Sequence, residues 1–231
     1  MKNDMKSLLW LRWHYLLGNK LFLLVMLIPL FAVGFFVRIE GSGSSLGFLG
    51  IVVQLIYGVT AGSFVAVSVA EEKEKRTLSL LILSGVSTGS YIFTVSLFPL
   101  LFAMAEASVV PIILHIEWNS WFPFLLVACF SSLVFIAINL LIGLYSQTTN
   151  QANVLTTVLY TLALIVPILA RGVKWMDDLL SYSFLSANSH FFNSPRTFSP
   201  MDSSVGMLVI WLLLLWGAVF ESYKRQIRIG E

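Results

Sequence analysis

The residues with the clearest capacity for chemistry are six consecutive charged side chains at positions 71–76. This block stands between two long apolar runs, and charged side chains are costly in hydrocarbon, so it marks a membrane face. Its lysines and its arginine favour the cytoplasmic face. A leucine-rich stretch, residues 78–83, follows directly. A charged head followed by an apolar stripe predicts a docking element for a soluble partner.

A single carboxylate deep in an apolar run, Glu106, is the second candidate. Ionisable groups at such depth usually face protein or water and are functional candidates. Three interpretations are open. Glu106 lines a translocation pathway, or it pairs with Arg38 or Arg171 near the outer surface, or it is protonated and hydrogen-bonded within the bundle.

The composition indicates a membrane protein. Hydrophobic residues make up 58% of the 231 positions and charged residues 11%, against roughly 25% charged residues in soluble domains. The net charge of +2, without a basic patch interleaved with aromatic residues, argues against a nucleic-acid partner. The single cysteine, Cys129, excludes an internal disulfide and a cysteine metal cluster.

Six apolar runs are long enough to cross ~30 Å of hydrocarbon, at 21–37, 48–70, 91–114, 121–144, 152–170 and 205–220. The last run is short and needs flanking residues or a locally thinner bilayer. With the N-terminus inside, ten of the fourteen lysines and arginines lie on the cytoplasmic side. The sequence therefore predicts an all-α polytopic membrane protein with six transmembrane helices and both termini cytoplasmic.

Residues 4–18 have the spacing of an amphipathic helix before the first span. The apolar positions on one face are Met5, Leu8, Leu9, Trp13 and Leu16, with Lys6, Arg12 and His14 elsewhere on the helix. Tryptophans and basic residues beside a span favour a helix lying in the cytoplasmic interface. The alternative is a simple extension of the first span.

The longest connection, residues 171–204, is predicted to face outward. Apolar residues recur at helical spacing at Trp175, Met176, Leu179, Leu180, Phe184 and Leu185. They predict a short amphipathic or re-entrant helix, followed by an irregular stretch to Pro200. The whole chain, 1–231, is expected to form one transmembrane domain.

The segment after position 70 resembles the signature of the type-2 ABC exporter permeases. The matching positions are Lys73, Glu74, Thr77, Leu78, Leu80, Leu81, Ser84, Val86 and Ser87. The sequence departs from that signature at Arg76, where glycine is usual, at Ser79, where glutamate is common, and at Gly85, where proline is usual. Because arginine favours helix over glycine, one helix is expected to continue through Arg76.

The resemblance implies that residues 71–85 form a coupling helix, which inserts into a groove of a separate ATP-binding-cassette subunit beside the N-terminal helix. The residues it implies in coupling are Glu71, Glu72, Lys73, Glu74, Arg76, Thr77, Leu78 and Leu81, with the charges engaging the partner and the leucines holding the helix.

The chain has no phosphate-binding loop of the Gly-x-x-x-x-Gly-Lys-Ser/Thr type. A permease of this class would therefore be a transport subunit of the cell membrane without an enzymatic site or cofactor of its own. ATP and magnesium would be bound by the ATPase subunit. A second permease copy, identical or homologous, would complete the pathway. The many phenylalanines favour a hydrophobic or amphipathic substrate, such as a peptide or drug.

Three alternatives remain. Glu71, Glu72 and Arg76 match the Glu-Glu-x-x-x-Arg motif of CAAX-protease-like membrane enzymes, but His115 and His190 lack the required spacings and belong to the opposite membrane face. A secondary carrier or channel would be expected to have more buried ionisable groups or paired broken helices. The charged block could also be only a solvated topological signal.

Overall fold

The computed structural model describes residues 2–40, 46–170 and 172–230, and these contain helices and turns without a β-strand. The helices are α1 Lys2–Gly18, α2 Lys20–Glu40, α3 Leu46–Leu55, α4 Phe64–Glu74, α5 Thr77–Leu83, α6 Thr88–Ile113, α7 Trp121–Tyr145, α8 Thr149–Ala170, α9 Lys174–Ser181, α10 Ser186–Asn193 and α11 Ser203–Gly230. A π-helical segment, Ile56–Ser63, joins α3 to α4.

Five helical segments of the described chain are long and apolar enough to cross a membrane: Val52–Glu74, Thr88–Ile113, Trp118–Tyr145, Thr149–Ala170 and Ser203–Gln226. A sixth candidate is the pair Met5–Gly18 and Leu23–Arg38, which are bent by 70° relative to each other. The prediction of an all-α polytopic membrane protein is confirmed. The last candidate span, Ser203–Gln226, extends beyond the apolar run 205–220 at both ends.

Contacts between helix ends define two faces of the bundle. The Lys73 ammonium at the end of α4 donates to the Leu144 carbonyl at the end of α7. Glu74 accepts from Thr149, where α8 begins. These ends, together with α1 and α5, form what we call the charged face. The helices α9 and α10, between the end of α8 and the start of α11, lie at the opposite face, called the far face.

The continuous span Val52–Glu74 is the central element and is largely buried within the bundle. Close approach of helices maintains this burial. A Cβ at Gly143 of α7 would lie 2.8 Å from the Ala66 carbonyl oxygen and 2.8 Å from the Val69 Cβ. Glycine at 143 is therefore required for α7 to pack directly on α4.

The far face contains two short helices where the sequence predicted one. α9 carries the first four residues of the predicted apolar stripe, but Phe184 and Leu185 lie in the turn after it. The stretch expected to be irregular contains α10. Phe191 and Phe192 of α10 are buried, and the rings of Phe124 and Phe191 lie 5.4 Å apart. The Asn188 amide donates to the Gly50 carbonyl at 2.8 Å. Aromatic burial and this hydrogen bond stabilise a helix whose serines and asparagines are more typical of a loop.

Candidate functional site

The predicted coupling segment 71–85 is divided in the structure. α4 ends at Glu74, and α5 begins at Thr77. Arg76 between them adopts a left-handed conformation with φ 57°. The expectation of one helix through Arg76 is therefore wrong. The Thr77 hydroxyl donates to the Glu72 carbonyl at 3.0 Å, which satisfies a carbonyl left free by the end of α4. Glycine would adopt this conformation at lower cost than arginine.

Glu72 lies at the centre of a buried polar cluster on the charged face. Its carboxylate accepts from the Arg12 guanidinium of α1 and from the Tyr91 hydroxyl of α6 at 2.6 Å. The Arg12 and Glu72 side chains are only 5% and 15% exposed. The guanidinium carbon also lies 5.5 Å from the centre of the Tyr91 ring, within cation–π range. Arg12, Glu72 and Tyr91 together therefore join α1, α4 and α6 inside the protein.

Arg12 faces the bundle, which corrects the predicted face of the N-terminal helix. Leu8, Arg12 and Leu16 recur every fourth residue and are buried. Trp10 and Trp13 are exposed. A buried arginine is tolerated here because Glu72 compensates its charge and accepts its hydrogen bond. The spacing of Arg12 between two buried leucines was the available sequence signal.

Glu71 connects the same end of α4 to α1 and to the turn before α5. It accepts from the Tyr15 hydroxyl and from the Lys75 ammonium. Lys75 lies one helical turn further along the chain, and the hydrogen bond and charge of Glu71 raise the pKa of this lysine. Glu71 thus adds a second contact between α1 and the end of the central span.

Lys73 and Glu74 attach the central span to α7 and α8. The Lys73 ammonium lies 2.6 Å from the Leu144 carbonyl oxygen. The Glu74 carboxylate accepts from the Thr149 amide at 2.9 Å and from its hydroxyl. Thr149 is the first residue of α8, and a carboxylate is favourable at a helix N-terminus because of the unpaired amides there.

These contacts form what we call the ionic junction: Arg12, Tyr15, Glu71, Glu72, Lys73, Glu74, Tyr91 and Thr149. It joins α1, α4, α6, α7 and α8. Sequence reasoning identified the four members on α4 but missed Tyr15, Tyr91 and Thr149. Arg12 was expected on another face. The resemblance implied that the charges of this block engage a soluble partner, whereas Glu72 is hydrogen-bonded to Arg12 and Tyr91 within the chain.

The exposed surface of α5 is formed largely by leucines, whereas the resemblance implied that charges engage the partner. Leu78 is buried and Leu81 partly buried, so these two leucines hold the helix as expected. The exposed apolar residues are Leu80 and Leu83, at 63% and 74% exposure. Arg76 at the start of the helix is also exposed. The outward surface of α5 is therefore apolar with a cationic edge.

Glu106 is buried in α6, apart from the ionic junction. Its carboxyl lies 2.9 Å from the Thr60 hydroxyl, and that hydroxyl lies 3.1 Å from the Met26 carbonyl. Thr60 belongs to the π-helical segment. One hydroxyl proton serves only one of these acceptors, and a proton on Glu106 would supply the second hydrogen bond. Of the two arginines considered as partners, Arg38 is exposed, and Arg171 lies outside the described residues.

No group of three histidine, cysteine or acidic side chains in the described residues is arranged to hold a metal ion. The chain matches no family model, no curated protein and no solved structure. Function must therefore be inferred from the geometry of the charged face and from the motif in residues 71–87.

Proposed function

We propose that this protein is the membrane-spanning permease subunit of an ATP-driven exporter, and that α5 docks onto a separate ATP-binding-cassette subunit. Two independent features support the proposal. The segment that contains α5 resembles the coupling motif of type-2 ABC exporter permeases. The same segment is a short helix with exposed leucines, which lines one cavity together with α1 and follows the most buried of the candidate spans.

The observation that carries the proposal is the attachment of α5 to the bundle. Leu78 and Leu81 pack α5 against the core, while Leu80 and Leu83 are exposed. Two residues separate α5 from the central span, whose end is joined to four other helices by the ionic junction. A force on α5 would therefore reach α1, α6, α7 and α8 together, rather than a single helix.

The proposed assembly contains the ATPase subunit, which binds ATP and magnesium, and a second permease copy, either identical or homologous. α2, α8 and α11 carry many exposed apolar side chains, which lipid or a second copy would cover. We propose a location in the cell membrane with both termini cytoplasmic, and export of a hydrophobic or amphipathic substrate. Because the charged face holds the positive residues near α1 and α4, this face would be cytoplasmic.

The experiment is purification of the tagged protein from membranes of its native host, followed by identification and assay of the chains that accompany it. We expect an ATPase with a phosphate-binding loop to co-purify and to hydrolyse ATP in the complex. The double substitution Leu80→Ala and Leu83→Ala should weaken this association by about tenfold or more, because the complex would lose the apolar area that both leucines bury on docking.

Ser79→Ala is the matched control, since Ser79 is exposed on the same helix and carries no apolar surface. It should leave the association unchanged. Membrane insertion and thermal stability of all variants should match those of the unsubstituted protein, because the side chains removed are not in the core. The proposal fails if no such ATPase accompanies the protein, or if the double variant retains it as well as Ser79→Ala does.

The π-helical segment favours one other candidate, a secondary carrier. Broken or irregular helices beside a buried carboxyl are typical of ion and substrate sites in carriers, and Thr60 and Glu106 meet at such a segment. A carrier would transport without the ATPase. Transport by the purified protein alone, driven by an ion gradient and abolished by Glu106→Gln, would establish this alternative.

A further inference from the structure

Two cavities of different chemistry lie side by side at the far face. The first, of about 320 Å³, lies between α8 and α9 and is lined largely by apolar side chains, among them Leu162, Val166, Trp175 and Leu179. The second, of about 280 Å³, lies between α9, α10 and the start of α11. Leu180 lines both, so one side chain of α9 separates them.

The second cavity is polar, and within its lining the Ser204 hydroxyl and the His190 ring lie 3.5 Å apart. Asp177, Ser189, His190, Asn193 and Ser204 contribute to its lining. Among the described residues that line this cavity, Asp177 is the only acidic one, and none is a lysine or an arginine. Its carboxylate therefore gives the cavity a negatively charged group.

Ser186 provides independent support for a ligand in this cavity. It lines the cavity and is only 5% exposed, yet its hydroxyl has no hydrogen-bond partner among the described residues. A buried hydroxyl without a partner is unfavourable, and such groups call for an explanation such as a bound ligand or water.

We propose that the two cavities form one binding site for a cationic amphiphile, with a primary ammonium group in the polar cavity and an apolar chain in the groove between α8 and α9. An ammonium has three donors and one positive charge, which match the Asp177 carboxylate and the surrounding serine and asparagine oxygens. The apolar groove buries the chain. A ligand with both features would account for an apolar groove and a polar cavity that share Leu180 in their linings.

The test is calorimetric titration of dodecylammonium into the protein reconstituted in phosphatidylcholine nanodiscs, with the signal from empty nanodiscs subtracted. We expect saturable binding. Dodecanol has the same chain without the charge, and dodecanoate has the opposite charge. Both should bind at least about tenfold more weakly, the ratio expected for one charge-assisted hydrogen bond.

Asp177→Asn should weaken dodecylammonium binding by about tenfold. Asp178→Asn is the matched control, because Asp178 is exposed on the same helix but does not contribute to the polar cavity. It should leave binding unchanged. Equal effects of the two substitutions would indicate attraction to surface charge alone and would overturn the site, as would equally tight binding of dodecanoate or the absence of saturation.

Binding at the far face requires no ATPase. A negative titration would therefore leave docking at α5 unaffected, and loss of docking at α5 would leave the ligand site unaffected.

Discussion

Replacing Arg12 with methionine would remove the cation that pairs with Glu72 while preserving most of the apolar length of the side chain. Glu72 would keep the Tyr91 hydroxyl at 2.6 Å as its remaining partner from another helix. A carboxylate that is only 15% exposed would then lack a counter-charge. We therefore expect Arg12→Met to destabilise the protein by loosening the junction between α1 and the end of the central span.

The magnitude follows from the burial of the pair. Removing one partner of a buried ion pair typically costs about 3–5 kcal/mol of unfolding free energy. We expect about 3 kcal/mol, the lower end of that range, because Tyr91 still donates to Glu72 and the carboxylate retains some contact with solvent. Replacing both partners should cost less than the single change, since no uncompensated charge remains.

The assay is reversible unfolding in mixed detergent micelles, measured for Arg12→Met, Glu72→Met and the double variant. The coupling energy from this cycle should be roughly 2 kcal/mol, within the range for residues in direct contact. Arg225→Met is the control, because Arg225 forms an exposed pair with Glu221 one turn away. Such exposed pairs contribute below about 0.5 kcal/mol.

Two results would refute this reasoning. The first is an effect of Arg12→Met no larger than that of Arg225→Met, which would mean that the pair is not buried in the membrane-embedded protein. The second is a double variant whose loss equals the sum of the single losses, which would mean that Arg12 and Glu72 do not interact.

Two further predictions concern the central span. Glu106→Gln should change the unfolding free energy by less than about 1 kcal/mol, because an amide can replace a neutral carboxyl as the partner of Thr60; a loss of about 3 kcal/mol or more, partly recovered by Arg38→Gln, would instead indicate a paired charge. Gly143→Ala should cost about 1–3 kcal/mol, because the added Cβ would meet α4 at 2.8 Å. Gly34→Ala is the control, because its Cβ would meet no atom within 4 Å, and it should be neutral or stabilising in the same unfolding assay. A larger loss of stability for Gly34→Ala than for Gly143→Ala would contradict the packing of α7 on α4.

Several features of the candidate site were predictable because they depend on local composition. The charged block had to lie outside the hydrocarbon, and it does lie at the ends of several helices. Leu78 and Leu81 were correctly expected to hold the short helix. The break at Arg76 was not predictable from propensity, because residue preferences differ by less than 1 kcal/mol and tertiary contacts around the end of α4 outweigh them.

The hydrogen-bonding partners of the charged residues could not be predicted from local sequence patterns either. Arg12 and Glu72 are separated by sixty positions, and Glu74 and Thr149 by seventy-five. No periodicity in one helix identifies the residue that another helix will place beside it. The charges were therefore expected to engage a soluble partner, and the leucines of α5 were expected only to hold the helix.

The sequence alone determined that the chain is helical and spans a membrane, because long apolar runs can satisfy their backbone hydrogen bonds in lipid only as helices or closed barrels, and the lengths of these runs fit helices. Tertiary structure decided which polar groups face inward, where the charged segment breaks, and that α10 packs into the far face. The physical reason is that burial and pairing depend on neighbours distant in sequence, whereas hydrophobicity and length are properties of each segment by itself.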